Sequence, residues 1–325
     1  MLSKRTSIIS AAFAVTVGIA GCATQSVSFT DATPMSAVSQ KVTTISEVTK
    51  AVTAAQKITT LPSDLTPSLI NSTDKAWAGA PYGPCHQLAG QPADVPLGEF
   101  GGCLFGDYQS DKLMVVYGDS HAGMWSSALE EIAIRDHWSL RTFALPYCPP
   151  EDLTFVQFGK VNATCAAFHR AALTAIRELH PKLLVITGQT IGEQSAPGVF
   201  YTSDQWKEGL VLTINAFKQM GTRAVVIGNI PQWANDDADC LAAHETDVQA
   251  CMVPREQGIP VNVAGERAAA QATGVAYIDP TPWVCSQMCV PVVGNIRVFL
   301  DEYHFTRTYA VYLSGALQQA LGLGN

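Results

Sequence analysis

Charge is scarce in this chain. Asp, Glu, Lys and Arg together make up only 15% of its 325 residues, and the balance is acidic, −8 at pH 7. A basic face for a phosphate backbone is therefore missing, which argues against nucleic acid as a partner. Low hydrophobicity is missing too. Apolar residues reach 47%, too many for a disordered chain and enough for a large core. There is no Cys-x-x-Cys pair, no clustered His-Cys spacing and no EF-hand spacing around Asp236, Asp237 and Asp239. Zinc and calcium sites are thus not expected, no cofactor is expected, and the acidic trio reads as a solvated loop. The apolar run Ile8–Ile19 is too short for a comfortable membrane span.

That run follows Lys4 and Arg5 and precedes Ile19-Ala20-Gly21-Cys22, the layout of an export signal. The last four residues resemble the bacterial lipobox. The resemblance implies cleavage before Cys22, lipidation of its thiol and anchoring at the outer face of the cytoplasmic membrane. An ordinary secretory signal cleaved nearby is the alternative. Nine cysteines are awkward for an exported protein. Without Cys22 eight remain: Cys85, Cys103, Cys148, Cys165, Cys240, Cys251, Cys285 and Cys289. They fall into four sequence-near pairs. Nearest-neighbour pairing is the simplest of the connectivities, since each bond then staples one local loop in an oxidising compartment.

Four segments follow from the pattern. Residues 1–21 read as the signal and 22–37, small and polar, as a tether. In the third segment, 38–110, Val38, Val42, Ile45, Val48, Val52, Ala55 and Ile58 form one apolar helical stripe that ends before Pro62. Packing on the main domain is the expected use of this stripe, with a coiled coil to another chain as the alternative. The rest of that segment, rich in Pro, Gly and Ala, reads as an irregular disulfide-bonded extension. From residue 111 to 325, β-branched runs at 113–117, 140–145, 183–187, 224–228 and 275–278 alternate with helical patterns near 122–135, 165–179, 204–220, 260–273 and 306–321. Such alternation means βαβ units on a parallel sheet. The expected fold is a three-layer α/β/α sandwich with five parallel strands and ligands at their carboxyl ends.

Two short stretches carry chemistry. Gly118-Asp119-Ser120-His121 lies between the first strand and its helix. The turn exposes the Ser120 hydroxyl and sets its N–H at a helix N-terminus, where donors are unpaired and negative charge is favoured. A serine there can serve as nucleophile and as oxyanion donor. Asp301-Glu302-Tyr303-His304 lies just before the last helix. An imidazole suits removal of the serine proton at neutral pH, and an aspartate three residues earlier can fix its tautomer. His121 is expected to make a local hydrogen bond, with a place lining the pocket as the alternative. Trp125 and Trp233 read as core or rim residues, with sugar stacking as the lesser alternative, and His169, His180 and His244 carry no signal.

These stretches resemble the SGNH (GDSL-type) hydrolase superfamily, with its flavodoxin-like fold. The resemblance is greater to the periplasmic SGNH domain fused to family 3 membrane acyltransferases. Cys103-Leu104-Phe105-Gly106-Asp107, the His121-Ala122 continuation, Cys148-Pro149-Pro150, and Cys285 and Cys289 ahead of Asp301 all fit that subgroup. It covers roughly residues 60 to 325. It implies acyl-ester chemistry on an envelope glycan, commonly O-acetyl transfer, with Ser120, His304 and Asp301 as the triad. Two departures stand out. The superfamily carries a Gly after the second strand and an Asn after the third, both oxyanion donors. Here Pro146-Tyr147-Cys148 and Gly188-Gln189-Thr190 stand there. The fused subgroup also lacks the Asn, and Gln189 offers an amide from its position. Fewer donors mean slower catalysis, at ~2.7–4 kcal/mol each. Hydrolase and transferase are both open, acting on a glycan or an acylated small molecule. Transfer would need a separate membrane acyltransferase partner to supply the acyl group. The rival from another class is a glycan-binding or assembly lipoprotein with little or no catalysis.

Overall fold

A computed structural model of the protein describes residues 42–71, 74, 103–157, 159–190, 194–233 and 237–324. The signal, Cys22, the tether, most of the extension and the Cys85–Cys103 pairing lie outside the described residues.

The first described helix, α1 (Ile45–Ala55), opens with a capping box. Thr44 accepts the Glu47 N–H, and the Glu47 carboxylate accepts the Thr44 N–H. It is shorter than the apolar stripe that announced it. Its buried face, Val48, Val52 and Ala55, joins the main core. The stripe is therefore used within the chain.

The six strands of the central sheet are β1 (Cys103–Gly106), β2 (Leu113–Gly118), β3 (Ser139–Ala144), β4 (Leu183–Thr187), β5 (Arg223–Ile227) and β6 (Ala276–Ile278), in the spatial order β1-β3-β2-β4-β5-β6. The last five are parallel and correspond to the five β-branched runs. β1, which comes from the extension, pairs antiparallel with β3 and adds an edge strand to the five expected. Four residues ending in a left-handed glycine, Gly106 at φ 73°, are too few to show an alternation. The chain order reverses at β2, which has β3 on one side and β4 on the other. The crevice at its carboxyl end is the natural ligand site of such a sheet.

Alternation along β2 decides the layers, because successive side chains point to opposite faces. Met114 and Val116 pack with α1, α2 (Ser120–Asp136) and the C-terminal helices; Val115 and Tyr117 pack with α3 (Ala163–Leu179) and α4 (Ser203–Lys218). A short helix, α5 (Asp237–Ala243), then precedes α6 (Val263–Thr273), which lies against α4. The expected final helix is two, α7 (Arg307–Tyr312) and α8 (Ser314–Leu321), yet its stripe of Tyr309, Leu313, Leu317 and Leu321 is wholly buried. α1 lies against α8, with the Ile45 N–H donated to Gln319 Oε1 at 3.0 Å. Gly315 permits this approach, since a Cβ there would stand 2.6 Å from the Thr43 carbonyl oxygen.

Disulfides join Cys148 to Cys165, Cys240 to Cys251 and Cys285 to Cys289, three of the four nearest-neighbour pairs. Asp237 corrects the solvated-loop expectation. It is completely buried at the start of α5, and its carboxylate takes the Arg297 guanidinium at 3.0 Å. Among the described residues no helix is long and apolar enough to cross a membrane.

Candidate active site

Ser120 is the first residue of α2, at the carboxyl end of β2. The turn between them needs a glycine. A Cβ on Gly118 would fall 1.7 Å from the Thr187 carbonyl oxygen, and its φ is 153°. Asp119 caps the helix, accepting the His121 N–H on Oδ1 at 2.8 Å and the Gln189 N–H on Oδ2 at 2.7 Å. It is fully buried, and burial pushes its carboxyl up to about 6. The two N–H donors and the nearby His304 pull the other way.

His304 comes from the loop before α7. Leu300 donates its N–H to the His304 carbonyl, Trp233 donates to the Glu302 carbonyl, and Arg297 donates to the Leu300 carbonyl at 2.9 Å. The buried Arg297–Asp237 pair therefore braces the loop. Asp301 Oδ1 accepts the Tyr303 and His304 N–H groups at 3.0 and 2.8 Å, and both its oxygens lie 2.9 Å from His304 Nδ1. Burial alone would raise the Asp301 carboxyl. The hydrogen bonds and the charge from His304 outweigh it and hold the carboxyl below the ordinary aspartate range. On the other side of the ring, His304 Nε2 is 2.8 Å from Ser120 Oγ. Sequence positions 120, 301 and 304 thus meet in one continuous hydrogen-bonded chain. Chemically, Nε2 can take the hydroxyl proton while Asp301 steadies the imidazolium.

His121 is fully buried, and its ring stands edge to face with that of His304 at 5.4 Å between centroids. Burial pushes its imidazole down to about 3 and His304 acts in the same direction, while Asp301 and a hydrogen bond with the Tyr303 backbone pull the other way. It is neutral and does not compete with His304 as a base.

At the positions of the two departures, Gln189 has its backbone N–H committed to Asp119, so only its side-chain amide is left to offer. Tyr147 holds a backbone conformation that sequence reasoning missed. Its φ is 60°, the left-handed region that a glycine would take there. Its N–H makes no hydrogen bond among the described residues. The Tyr147 carbonyl accepts from Asn162 Nδ2 at 3.3 Å, and the next residue, Cys148, is tied to Cys165.

A further network lies beyond β4 and β5. Asn229 Nδ2 donates to Thr190 Oγ1 at 2.9 Å, Asn262 Nδ2 to the Thr190 carbonyl at 3.0 Å, and the Asn229 N–H to Glu266 Oε2 at 3.0 Å. Burial pushes the Glu266 carboxyl up to about 8. Cys148, Cys165 and His169 also cluster, but the two sulfurs are spent on their disulfide, and His169 Nε2 donates to the Pro149 carbonyl at 2.9 Å. Trp125 and Trp233 are core residues.

Residues 84–319 match the family described as the SGNH domain (fused to AT3 domains). The periplasmic domain of the lipopolysaccharide acetyltransferase of Salmonella Paratyphi A is similar in fold, with a TM-score of 0.57 at 16% identity over 78% of this chain and 98% of that one. A GDSL-like lipase from Bacteroides thetaiotaomicron aligns with a TM-score of 0.37 at 14% identity, over 65% of this chain and 88% of its own. A search of curated proteins finds no match.

Proposed function

The chain belongs to the family of SGNH domains fused to AT3 domains, and from that premise we propose an exported serine esterase or O-acyltransferase that handles acyl esters, acetyl above all, of a cell-envelope glycan. The observation that carries this reading is the chain of contacts Ser120 Oγ–His304 Nε2 at 2.8 Å and His304 Nδ1–Asp301 at 2.9 Å.

In this reading Ser120 Oγ attacks the ester carbonyl carbon and passes its proton to His304 Nε2. The carbonyl π pair moves onto oxygen, where the Ser120 N–H at the start of α2 and the Tyr147 N–H receive it, with the Gln189 side-chain amide as a further donor. Collapse of the tetrahedral species expels the alcohol oxygen, which takes the proton from His304. Ser120 is left acylated. Water then attacks in hydrolysis, or a sugar hydroxyl in transfer, with His304 removing the attacking proton and returning it to Ser120 Oγ. Asp301 keeps the imidazole in one tautomer throughout. In the transfer variant the acyl group comes from a separate membrane acyltransferase, and the lipid anchor at Cys22 keeps the two proteins on one surface.

The test has two parts. A fluorophosphonate probe should label the wild-type protein and leave Ser120→Ala unlabelled; absence of labelling in the wild type moves the protein to the class of glycan-binding lipoproteins. Mass spectrometry of envelope glycans from cells with and without the protein then separates loss from gain of acyl groups and names the acyl chain.

A further inference from the structure

Among the described residues, the large apolar side chains exposed in the two loops around Ser120 are both tyrosines. Tyr147 is 55% exposed in the loop after β3, and Tyr303 is 37% exposed between Asp301 and His304. Both backbones are pinned. Tyr147 sits in a left-handed conformation that a bulky residue rarely adopts. It is held by Asn162, which also caps α3, and by the neighbouring Cys148–Cys165 bond. Tyr303 is held through its N–H to Asp301 Oδ1, and its ring meets the His304 ring edge to face at 5.2 Å. Each residue is thus fixed at its root and partly open to solvent. Burial disfavours ionisation of the Tyr303 phenol, and Glu302, Asp301 and, least of all, Tyr147 add to it.

From this geometry we propose that Tyr147 and Tyr303 form an aromatic clamp that receives an uncharged pyranose ring of the acylated substrate or acceptor beside Ser120 and His304. The proposal rests on the ester-chemistry reading above and adds the recognition element that reading lacks. A pyranose presents a C–H face to an aromatic ring and hydroxyls at its rim. Tyrosine offers the matching apolar face and polar tip at a low entropic cost, having few rotors to freeze. Pinned backbones reduce that cost further. The charges beside Tyr303 are the carboxylates of Asp301 and Glu302, which favour a neutral ring over an anionic one. Long acyl chains are a poor fit to the same surface, because they ask for an enclosed apolar wall, whereas both tyrosines face solvent.

The experiment compares glucose pentaacetate with ethyl acetate, which brings the same acyl group without a ring. Tyr147→Asn keeps the left-handed backbone, which Asn tolerates, and Tyr303→Leu keeps bulk without an aromatic face. Each should lower the ratio of kcat/KM for the sugar ester to that for ethyl acetate roughly 5- to 10-fold, mostly through KM, while Tyr303→Phe should retain it. An unchanged ratio, or an equal fall for both esters, overturns the clamp. Saturation-transfer NMR of glucose pentaacetate with Ser120→Ala protein gives a readout independent of turnover. Transfer to the sugar ring protons that disappears in Ser120→Ala/Tyr147→Asn supports the clamp even if the wild type proves to be no esterase. Absence of transfer in Ser120→Ala overturns it whatever the kinetics show.

Discussion

Asp119 Oδ2 accepts the backbone N–H of Gln189 at 2.7 Å, and that bond ties the turn carrying Ser120 to the loop beyond β4. The other oxygen of the same carboxylate holds the His121 N–H. One buried side chain therefore sets both the start of α2 and the neighbouring strand's exit. The aspartate of the Gly-Asp-Ser motif is a structural tie between two strand ends.

Asp119→Asn tests this. Asn keeps one acceptor and turns an N–H₂ toward a backbone N–H, leaving a buried donor unpaired at about 1–3 kcal/mol. Thermal unfolding should show a lower Tm. Because the displaced loops flank Ser120, kcat should fall more than KM rises. Unaltered stability in this variant contradicts the role.

Asp301→Asn should fold normally and lose roughly 10²- to 10⁴-fold in kcat, since an amide at Nδ1 no longer selects the tautomer that leaves Nε2 free to accept. Steady-state hydrolysis of a short acetyl ester measures it. Activity near wild type removes Asp301 from the triad.

Glu266 sets a pH dependence of stability. Its folded value, about 8, lies above the ordinary 4.5 of glutamate, so folding favours the protonated form. The stabilisation is complete below pH 4.5 and fades as pH rises through about 8. Wild-type Tm should therefore fall between about pH 5 and pH 8.5. Glu266→Gln, which still accepts the Asn229 N–H, should flatten that slope and be the more stable protein at the alkaline end. A parallel pair of curves rejects the assignment.

The Asp237–Arg297 pair should show the asymmetry of buried ions. Asp237→Ala removes the carboxylate that faces the buried Arg297 guanidinium and should cost about 3–5 kcal/mol in urea denaturation. The double change Asp237→Leu with Arg297→Met should recover much of it. Because Arg297 also holds the Leu300 carbonyl, activity should be the more sensitive reporter in Arg297→Met alone.

Strands β2 to β6 and the long helices were legible because each carries its own period, and the sheet's parallel order follows from their alternation. Ser120, Asp301 and His304 were legible as a candidate set because a serine, an aspartate and a histidine fell at matching ends of that sheet. What escaped depends on tertiary context. β1 has four residues and no alternation to read. Asp237 looked like one of three acids in water, because nothing near it in sequence announces Arg297, 60 residues on. Tyr147 looked like the loss of a glycine, while its backbone keeps the glycine's conformation. A torsion angle of this kind leaves no trace in residue type.

The seating of α1 against α8 also fixes an order of events. The helix near residue 45 is made long before residues 281–283, 292–293 and 314–321, which lie against it, so its apolar face stays open until those segments have emerged. A chain threaded across a membrane from its N-terminus would carry Val48 and Val52 unsheltered through most of that passage, and a holding chaperone on the far side would have its clearest task there.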